Sequence, residues 1–289
     1  MKATAFCPGH ITGFFQICEH NNILATGSRG AGLCISMGAI SDVSVFPGTG
    51  NIEIRINGET SVAPVTRQSV AKLIVDRGVD AIVETRLDLP VSQGFGMSAS
   101  GALSAAFALA ALLDIPVQKA YEAVHEAEVL HRTGLGDVAA LSRGGVTFRR
   151  VEGLPPYGSI DRVNTDAPLV IGIVGPPIET HSILRNAALR EKINAVGSMC
   201  VEVFSKSPTL GNLIALSKEF ATRTGLMTEQ VAEALEAIRG LGSASMIMLG
   251  NSIFAAGELD EIEKVLGEFG KIYRVKIDWI GPRVLSVEK

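Results

Sequence analysis

The sequence predicts an α+β protein of two lobes. Three observations carry this expectation. Apolar strand-like runs alternate with helical stretches along the whole chain, residues 151–166 are rich in Pro, Gly and Asp, and no repeat or low-complexity run interrupts the pattern. At 289 residues the chain has ample length for a large core. The boundary divides it into an N-terminal lobe, 1–160, and a C-terminal lobe, 161–289.

The first lobe opens with a strand over Lys2–Cys7, a turn at PGH, and the stretch ITGFFQIC. The Gly-rich run TGSRGAGLCISM leads into a second apolar strand. Asn51–Asn57 alternates apolar and polar residues and ends at an Asn57-Gly58 turn, the pattern of a half-exposed strand. Val65, Val70, Leu73 and Ile74 give Val65–Arg77 helical spacing, with Gly78 as a stop. A strand is expected over Ala81–Leu87, and an alanine-rich helix over Ala102–Leu113. Pro116 starts the next helix, which runs to about His131. The loop RTGLGD leads into Val138–Leu141, and GGVTFRR, 144–150, reads as a strand.

The second lobe begins with the buried strand PLVIGIVG, followed by helices near 182–205, 208–222 and 228–239. SMIMLGNSIFAAG reads as strand, 258–269 as helix, and a final strand pair flanks the lone Trp279.

Composition excludes several classes of function. With 47% hydrophobic and 19% charged residues, a net charge of −4 and no basic block, the chain is not expected to bind nucleic acid. The apolar run Ala102–Leu113 is too short to span a bilayer, which needs about 20 residues, so no membrane partner is expected. Pro8, Gly9 and His10 break up the N-terminus where a signal peptide would be continuous, and a cytoplasmic location is expected. Cys7, Cys18, Cys34 and Cys200 have no zinc-type spacing and read as free thiols. HEAEVLH, 125–131, is not a zinc site either, because its two histidines are not one helical turn apart.

LPVSQGFGMSASGALSAAFAL, 89–109, carries the chemistry. Glycines ahead of a helix let a phosphate reach the backbone, and the unpaired N–H groups of the helix start attract it. Ser98 adds a hydroxyl, as a hydrogen-bond donor or a magnesium ligand. Neither a Walker loop nor a dinucleotide fingerprint is present. Downstream, in AYEAVHEAEVLHRTGLGD, His125 and Glu128 share a helix face, whereas Glu126 lies about 200° round from Glu128. Asp137 follows a Gly-x-Gly turn. One carboxylate on a helix and one on a tight loop suit metal binding and proton acceptance, the needs of phosphoryl transfer to an alcohol. Taken singly, Glu128 also reads as a solvated helix charge and Asp137 as a turn residue.

PxxxGFGxSAS at 90–100 resembles the second motif of the GHMP kinases, CPGHITGFF resembles their first, and GLGD resembles the loop of their catalytic aspartate. Within that superfamily, GSRGAGL, EAEVLHRTGLGDV and GGVTFRR are similar to the archaeal branch that acts on pantoate. The resemblance implies a GHMP kinase fold, with an S5-like first lobe and a ferredoxin-like second lobe. It implies ATP and Mg2+, and phosphorylation of (R)-pantoate to 4-phosphopantoate on the way to coenzyme A. Carried over residue by residue, it makes Ser98 and Glu128 the magnesium contacts and Asp137 the group that takes the substrate proton. Pro90, Gly94, Phe95, Gly96, Met97, Ser98, Ala99 and Ser100 would surround the nucleotide. A homodimer is compatible with what relatives commonly form.

Pantoate carries a carboxylate, two hydroxyls and a geminal dimethyl group, so its pocket calls for an arginine and neutral donors. Arg149 is the first choice; strand alternation leaves Arg150 open as the inward residue. Ser28, His125 and Thr180 are the small donors, with His131 and Arg29 behind them. His125 also reads as a satisfied helix histidine, and Thr180 as a helix cap. Three departures matter: His10 stands where many relatives have lysine, Met97 replaces a serine, and the third motif is reduced to LGNS, 249–252, which puts least weight on Gly250. The alternatives are a GHMP kinase for mevalonate or homoserine, and a non-catalytic binding protein on the same scaffold.

Overall fold

The computed structural model describes residues 1–178 and 186–288. Its spine is the antiparallel pair of β1 (Lys2–Cys18) and β2 (Gly27–Pro47). β1 runs straight through PGH, where the sequence predicts a turn. The register of β1 on β2 shifts between Pro8 and Gly9, and that bulge accommodates a residue without an N–H. The first sheet is completed by β3 (Ile52–Ile56), β4 (Glu59–Thr60), β5 (Val79–Leu87), β6 (Val146–Val151), β7 (Ser159–Val163) and β12 (Arg283–Glu288). Its path is β12-β1-β2-β5-β3-β4, with β6 on β2 and β7 on β6. Two segments beyond residue 160 thus join it: the end of β7, and β12, which pairs with β1.

Helices α1 (Pro64–Ile74) and α2 (Met97–Leu112) lie against this sheet, α3 (Val117–His131) packs on both of them, and the short α4 (Asp137–Arg143) follows the GLG turn. α2 starts five residues earlier than the alanine run suggests, and 14 of its 16 residues are buried. A helix apolar on every side belongs in the centre of a domain. Its small residues let it pack against β1, β2, α1 and α3 together. α1 ends at Ile74, three residues short of the expected end.

The second lobe comprises β8 (Leu169–Ile173), α5 (Ala187–Lys206), α6 (Leu210–Thr224), α7 (Glu229–Ala237), β9 (Gly242–Met246), β10 (Ser252–Gly257), α8 (Leu259–Leu266) and β11 (Lys271–Val275). The Asn186, Thr209 and Thr228 side chains cap α5, α6 and α7. The antiparallel order β11-β8-β10-β9 and the β-α-β-β-α-β sequence make this lobe ferredoxin-like. Two expectations are corrected. SMIMLGNSIFAAG is no single strand but a hairpin of β9 and β10, because LGNS reverses the chain. The strands flanking Trp279 do not pair with each other: β11 stays in the second sheet and β12 returns to the first.

One apolar cluster runs through both lobes. Phe14 of β1 and Phe148 of β6 meet Phe204 of α5 edge-on, with ring centroids 5.6 and 5.2 Å apart, and Phe15 meets Phe220 of α6 at 5.4 Å. Each such pair is worth about 0.5–1.5 kcal/mol beyond area burial. With the core shared, urea unfolding followed by Trp279 fluorescence and by far-UV circular dichroism is expected to give one coincident transition. Phe14→Ala is expected to cost about 3–5 kcal/mol in that transition. Separated transitions would show that the lobes unfold independently.

Candidate active site

The loop before α2 is held at both ends by burial: Leu89 and Phe95 are in the core, while Val91 and Ser92 face out. Gly94 and Gly96 have φ of +83° and +65°, a region that strains any side chain. Gly96 ends the turn, and the first backbone bond of α2 runs from the Ser100 N–H to the Gly96 carbonyl at 2.9 Å. The N–H groups of the first turn are therefore left for a ligand. Ser100 Oγ donates to the Pro8 carbonyl at 2.7 Å and the His10 N–H donates to the Phe95 carbonyl at 3.0 Å, so the loop is tied to β1. Gln93, which the sequence reading passed over, ties it to the second lobe through Nε2 and the Gly175 carbonyl, 2.9 Å.

A cleft of about 430 Å3 opens beside this loop. It is lined by Gly94, Phe95, Gly96, Met97 and Ser98, by Glu128, Asp137 and Ser28, by 133–136, and by Thr12, Phe15, Val91, Ser92, Met248 and Leu249. Pro90, Ala99 and Ser100 do not line it; Ala99 and Ser100 are buried behind the loop. Met248 and Leu249 bring the β9–β10 connection to the cleft, and Gly250 packs on the backbone of Gln93 and Gly94. The reduced third motif therefore sits at the site, although the sequence places least weight there.

Ser98 Oγ donates to Glu128 Oε1 at 2.6 Å. Glu128 is 2% exposed, and its Oε2 has no hydrogen-bond partner among the described residues. Burial pushes its carboxyl up to about 7, with the negative Asp137 adding to the rise and the Ser98 bond opposing it. A Cβ on Gly134 would overlap Glu128 Oε2 and lie 2.9 Å from Asp137 Oδ2, so any side chain there would have to displace the carboxylates between which the loop passes. An orphaned carboxylate oxygen beside a hydroxyl suits a hard cation that takes its remaining ligands from phosphate and water. Among the described residues no group of three or more His, Cys, Asp or Glu forms a closed metal cage. Glu126 pairs with Lys72, away from Glu128, as the helical angle requires.

Asp137 is the first residue of α4, and its Oδ1 lies 2.6 Å from His10 Nδ1. Arg149 is 1% exposed, with Nε donating to the Ser28 carbonyl at 3.2 Å and both Nη atoms without partners. Burial draws its guanidinium down to about 10, against the pull of Asp137. Gly136 packs directly on it, since a Cβ there would be 2.7 Å from Arg149 Nε. Arg150 is exposed and paired with Asp161, which resolves the strand alternation in favour of Arg149.

His125 shares the buried face of α3 with Glu128 but lies outside the cleft lining, with Nε2 3.0 Å from the Thr26 carbonyl. Burial lowers its basicity, and that carbonyl contact opposes the effect. Arg29 is taken up by Gln16 Oε1, at 2.9 Å from Nε, and His131 does not line the cleft. Thr180 lies outside the described residues. Of the five buried side-chain polar atoms without a partner among the described residues, four belong to His10, Glu128 and Arg149. Glu128 lines the cleft, whereas His10 and Arg149 do not and lie behind its Asp137, Ser28 and Gly136. Such orphans are rare in folded proteins, and their concentration at and behind this wall marks it as the place built for a polar ligand.

Glu128 yields a pH prediction for the metal-free protein. Folded, it holds its proton up to about 7; unfolded, it releases it near its ordinary value of 4.5. Between these values the unfolded chain binds fewer protons, so stability falls as pH rises from about 4.5 to about 7. In urea titrations with chelator present, Glu128→Gln is expected to gain on the parent by on the order of 3 kcal/mol across that window. A pH-independent difference would show that Glu128 ionises normally in the fold.

Comparison with known proteins agrees with this geometry. Residues 64–145 match the model of the GHMP kinases N terminal domain. The chain is 36% identical to the pantoate kinase of Methanocaldococcus jannaschii, over 90% of this chain and 95% of that one. It is 32% identical to the pantoate kinase of Methanospirillum hungatei, over 100% and 98%. A solved structure described as a phosphotransferase related to the CoA biosynthesis pathway superposes with a TM-score of 0.90 at 30% identity, covering 98% of each chain. The chain belongs to the GHMP kinases and, among them, to the family of these pantoate kinases.

Proposed function

We propose that this chain transfers the γ-phosphoryl group of ATP to the terminal hydroxyl of (R)-pantoate, giving ADP and 4-phosphopantoate, in coenzyme A biosynthesis. The observation that carries the proposal is the meeting, in one cleft, of the α2 N-terminus, Ser98, Glu128 and Asp137. Residues 1–160 act as the nucleotide-binding lobe, its sheet completed by the end of β7 and by β12, and the rest of 161–289 as the lobe closing the substrate cleft.

The first-turn N–H groups of α2 and the loop of Gly94 and Gly96 receive the triphosphate. Ser98 and Glu128 hold Mg2+, which neutralises charge on the phosphates. The substrate hydroxyl is oriented by Asp137. As its oxygen bonds to the γ-phosphorus, the bond to the ADP oxygen breaks and the hydroxyl proton passes to the Asp137 carboxylate. The two unpartnered Arg149 nitrogens, buried behind Ser28 and Gly136 of the cleft lining, suit an anion, and the planar carboxylate of pantoate meets that need with the Ser28 hydroxyl beside it. His125 contributes by fixing the Thr26 carbonyl two residues before Ser28. Thr180 enters the proposal from the sequence alone.

A cytoplasmic site of action and a homodimer belong to the same proposal. The four cysteines are free, and no helix among the described residues is long and apolar enough to cross a membrane. Light scattering tests the dimer: a mass of two chains supports it, a mass of one refutes it.

ADP release measured across pantoate, mevalonate and homoserine tests the acceptor. Turnover of pantoate alone supports the proposal, and turnover of either other alcohol in its place overturns it. Asp137→Asn is expected to keep ATP binding and to lower kcat by roughly 10²–10⁴-fold. Comparable turnover in that variant would remove Asp137 from the base role.

A further inference from the structure

His10 occupies a place that the proposed reaction leaves unexplained. Its ring is fully buried, with Nδ1 2.6 Å from Asp137 Oδ1 and Nε2 without a partner. Gly32 of β2 makes room for the far side of the ring: a Cβ there would be 2.7 Å from Nε2 and 3.1 Å from Cε1, so any larger residue at 32 would press on the imidazole that faces Asp137. The backbone of the same residue is held independently, by its N–H on the Phe95 carbonyl at 3.0 Å. Gly96 packs against the His10 backbone from above, with a Cβ position 3.2 Å from its carbonyl oxygen. One residue thus joins the phosphate-binding turn, through its main chain, to the acid side chain, through its ring.

The chemistry of the pair fixes who donates. A carboxylate only accepts, so the proton between the two belongs to Nδ1. Burial, and the positive Arg149 nearby, work against a second proton on the ring, while Asp137 works for it. A neutral ring protonated on Nδ1 leaves Nε2 as a bare acceptor, which agrees with its lack of a partner.

We propose that His10 is a positioning residue that locks Asp137 through Oδ1, leaves Oδ2 for the acceptor hydroxyl, and keeps that oxygen in register with the turn before α2. The lysines that many relatives carry at this point would bring a full charge; His10 brings a fixed direction instead. The proposal rests on Asp137 being the base, and misplacing a reacting group by about 1 Å can cost as much as 10² in rate.

The experiment is a mutant cycle on the full chain, read as kcat and KM for ATP and pantoate, with thermal midpoint and ATP binding as checks on folding. His10→Leu is expected to lower kcat about 10–100-fold with both KM values within about threefold. His10→Asn places an amide N–H where Nδ1 stood and is expected to recover most of the loss, whereas His10→Gln is not. In an Asp137→Asn background, His10→Leu is expected to add no further loss, because the two act as one unit. An additive loss in that background, or equal defects in the Asn and Gln variants, would overturn the proposal and assign His10 a packing role. Full activity of His10→Leu with an inactive Asp137→Asn would overturn it while sparing the base. Full activity of Asp137→Asn itself would instead remove the base reading beneath it.

Discussion

A buried polar atom without a partner costs about 1–3 kcal/mol, and more when it is charged. This chain places four such atoms at or directly behind a single cleft: Glu128 lines it, while His10 and Arg149 are buried behind its Asp137, Ser28 and Gly136. Much of the architecture serves to keep them there. The β1–β2 pair sets His10 and Ser28 on neighbouring strands, β6 brings Arg149 in behind Ser28, and α2 and α3 bring Ser98 against Glu128. The stabilisation that offsets the cost lies elsewhere, in the apolar cluster shared by the lobes and the nearly complete burial of α2. Raising Glu128 towards neutrality lessens the charge that the fold must bury there. A cation and phosphates entering the cleft would supply the partners that the fold withholds.

How much of this the sequence showed depends on whether a feature is local. The glycine turn, Ser98, Glu128 and the Gly-x-Gly before Asp137 were legible, since each follows from spacing within a few residues. The divergence of Glu126 from Glu128 was legible too, because helix geometry alone decides it. The His10–Asp137 bond spans 127 residues of sequence, and no local pattern announces it. The course of β1 across Pro8 is settled by its partner β2, whose register shift makes room for the ring. His125 shows the limit in another form. Its helix face was read correctly as that of Glu128, yet the ring ends on the Thr26 carbonyl, a long-range contact that face alone does not determine. LGNS was undervalued because a tight approach of Gly250 to Gln93 and Gly94 leaves no mark on composition.

The turn before α2 also explains why the lobes share one core instead of meeting through a loose seam. It is bonded to β1 through Phe95 and Ser100, and to the second lobe through Gln93 and through the Ile178 N–H on the Ser92 carbonyl at 2.9 Å. Its shape therefore depends on both lobes keeping their relative placement. Phosphoryl transfer draws its rate from positioning and fixed charge far more than from covalent chemistry by the protein. A seam free to shift by an ångström would drag on the Ser92–Gln93 end of the turn, just ahead of the α2 N-terminus, while Asp137 and His10 stay with the first sheet. Phe14 and Phe15, packed on Phe204 and Phe220, oppose that shift. Aromatic packing far from any reacting atom thus contributes to the accuracy of the cleft, because it holds steady the surfaces on which the donor groups are mounted.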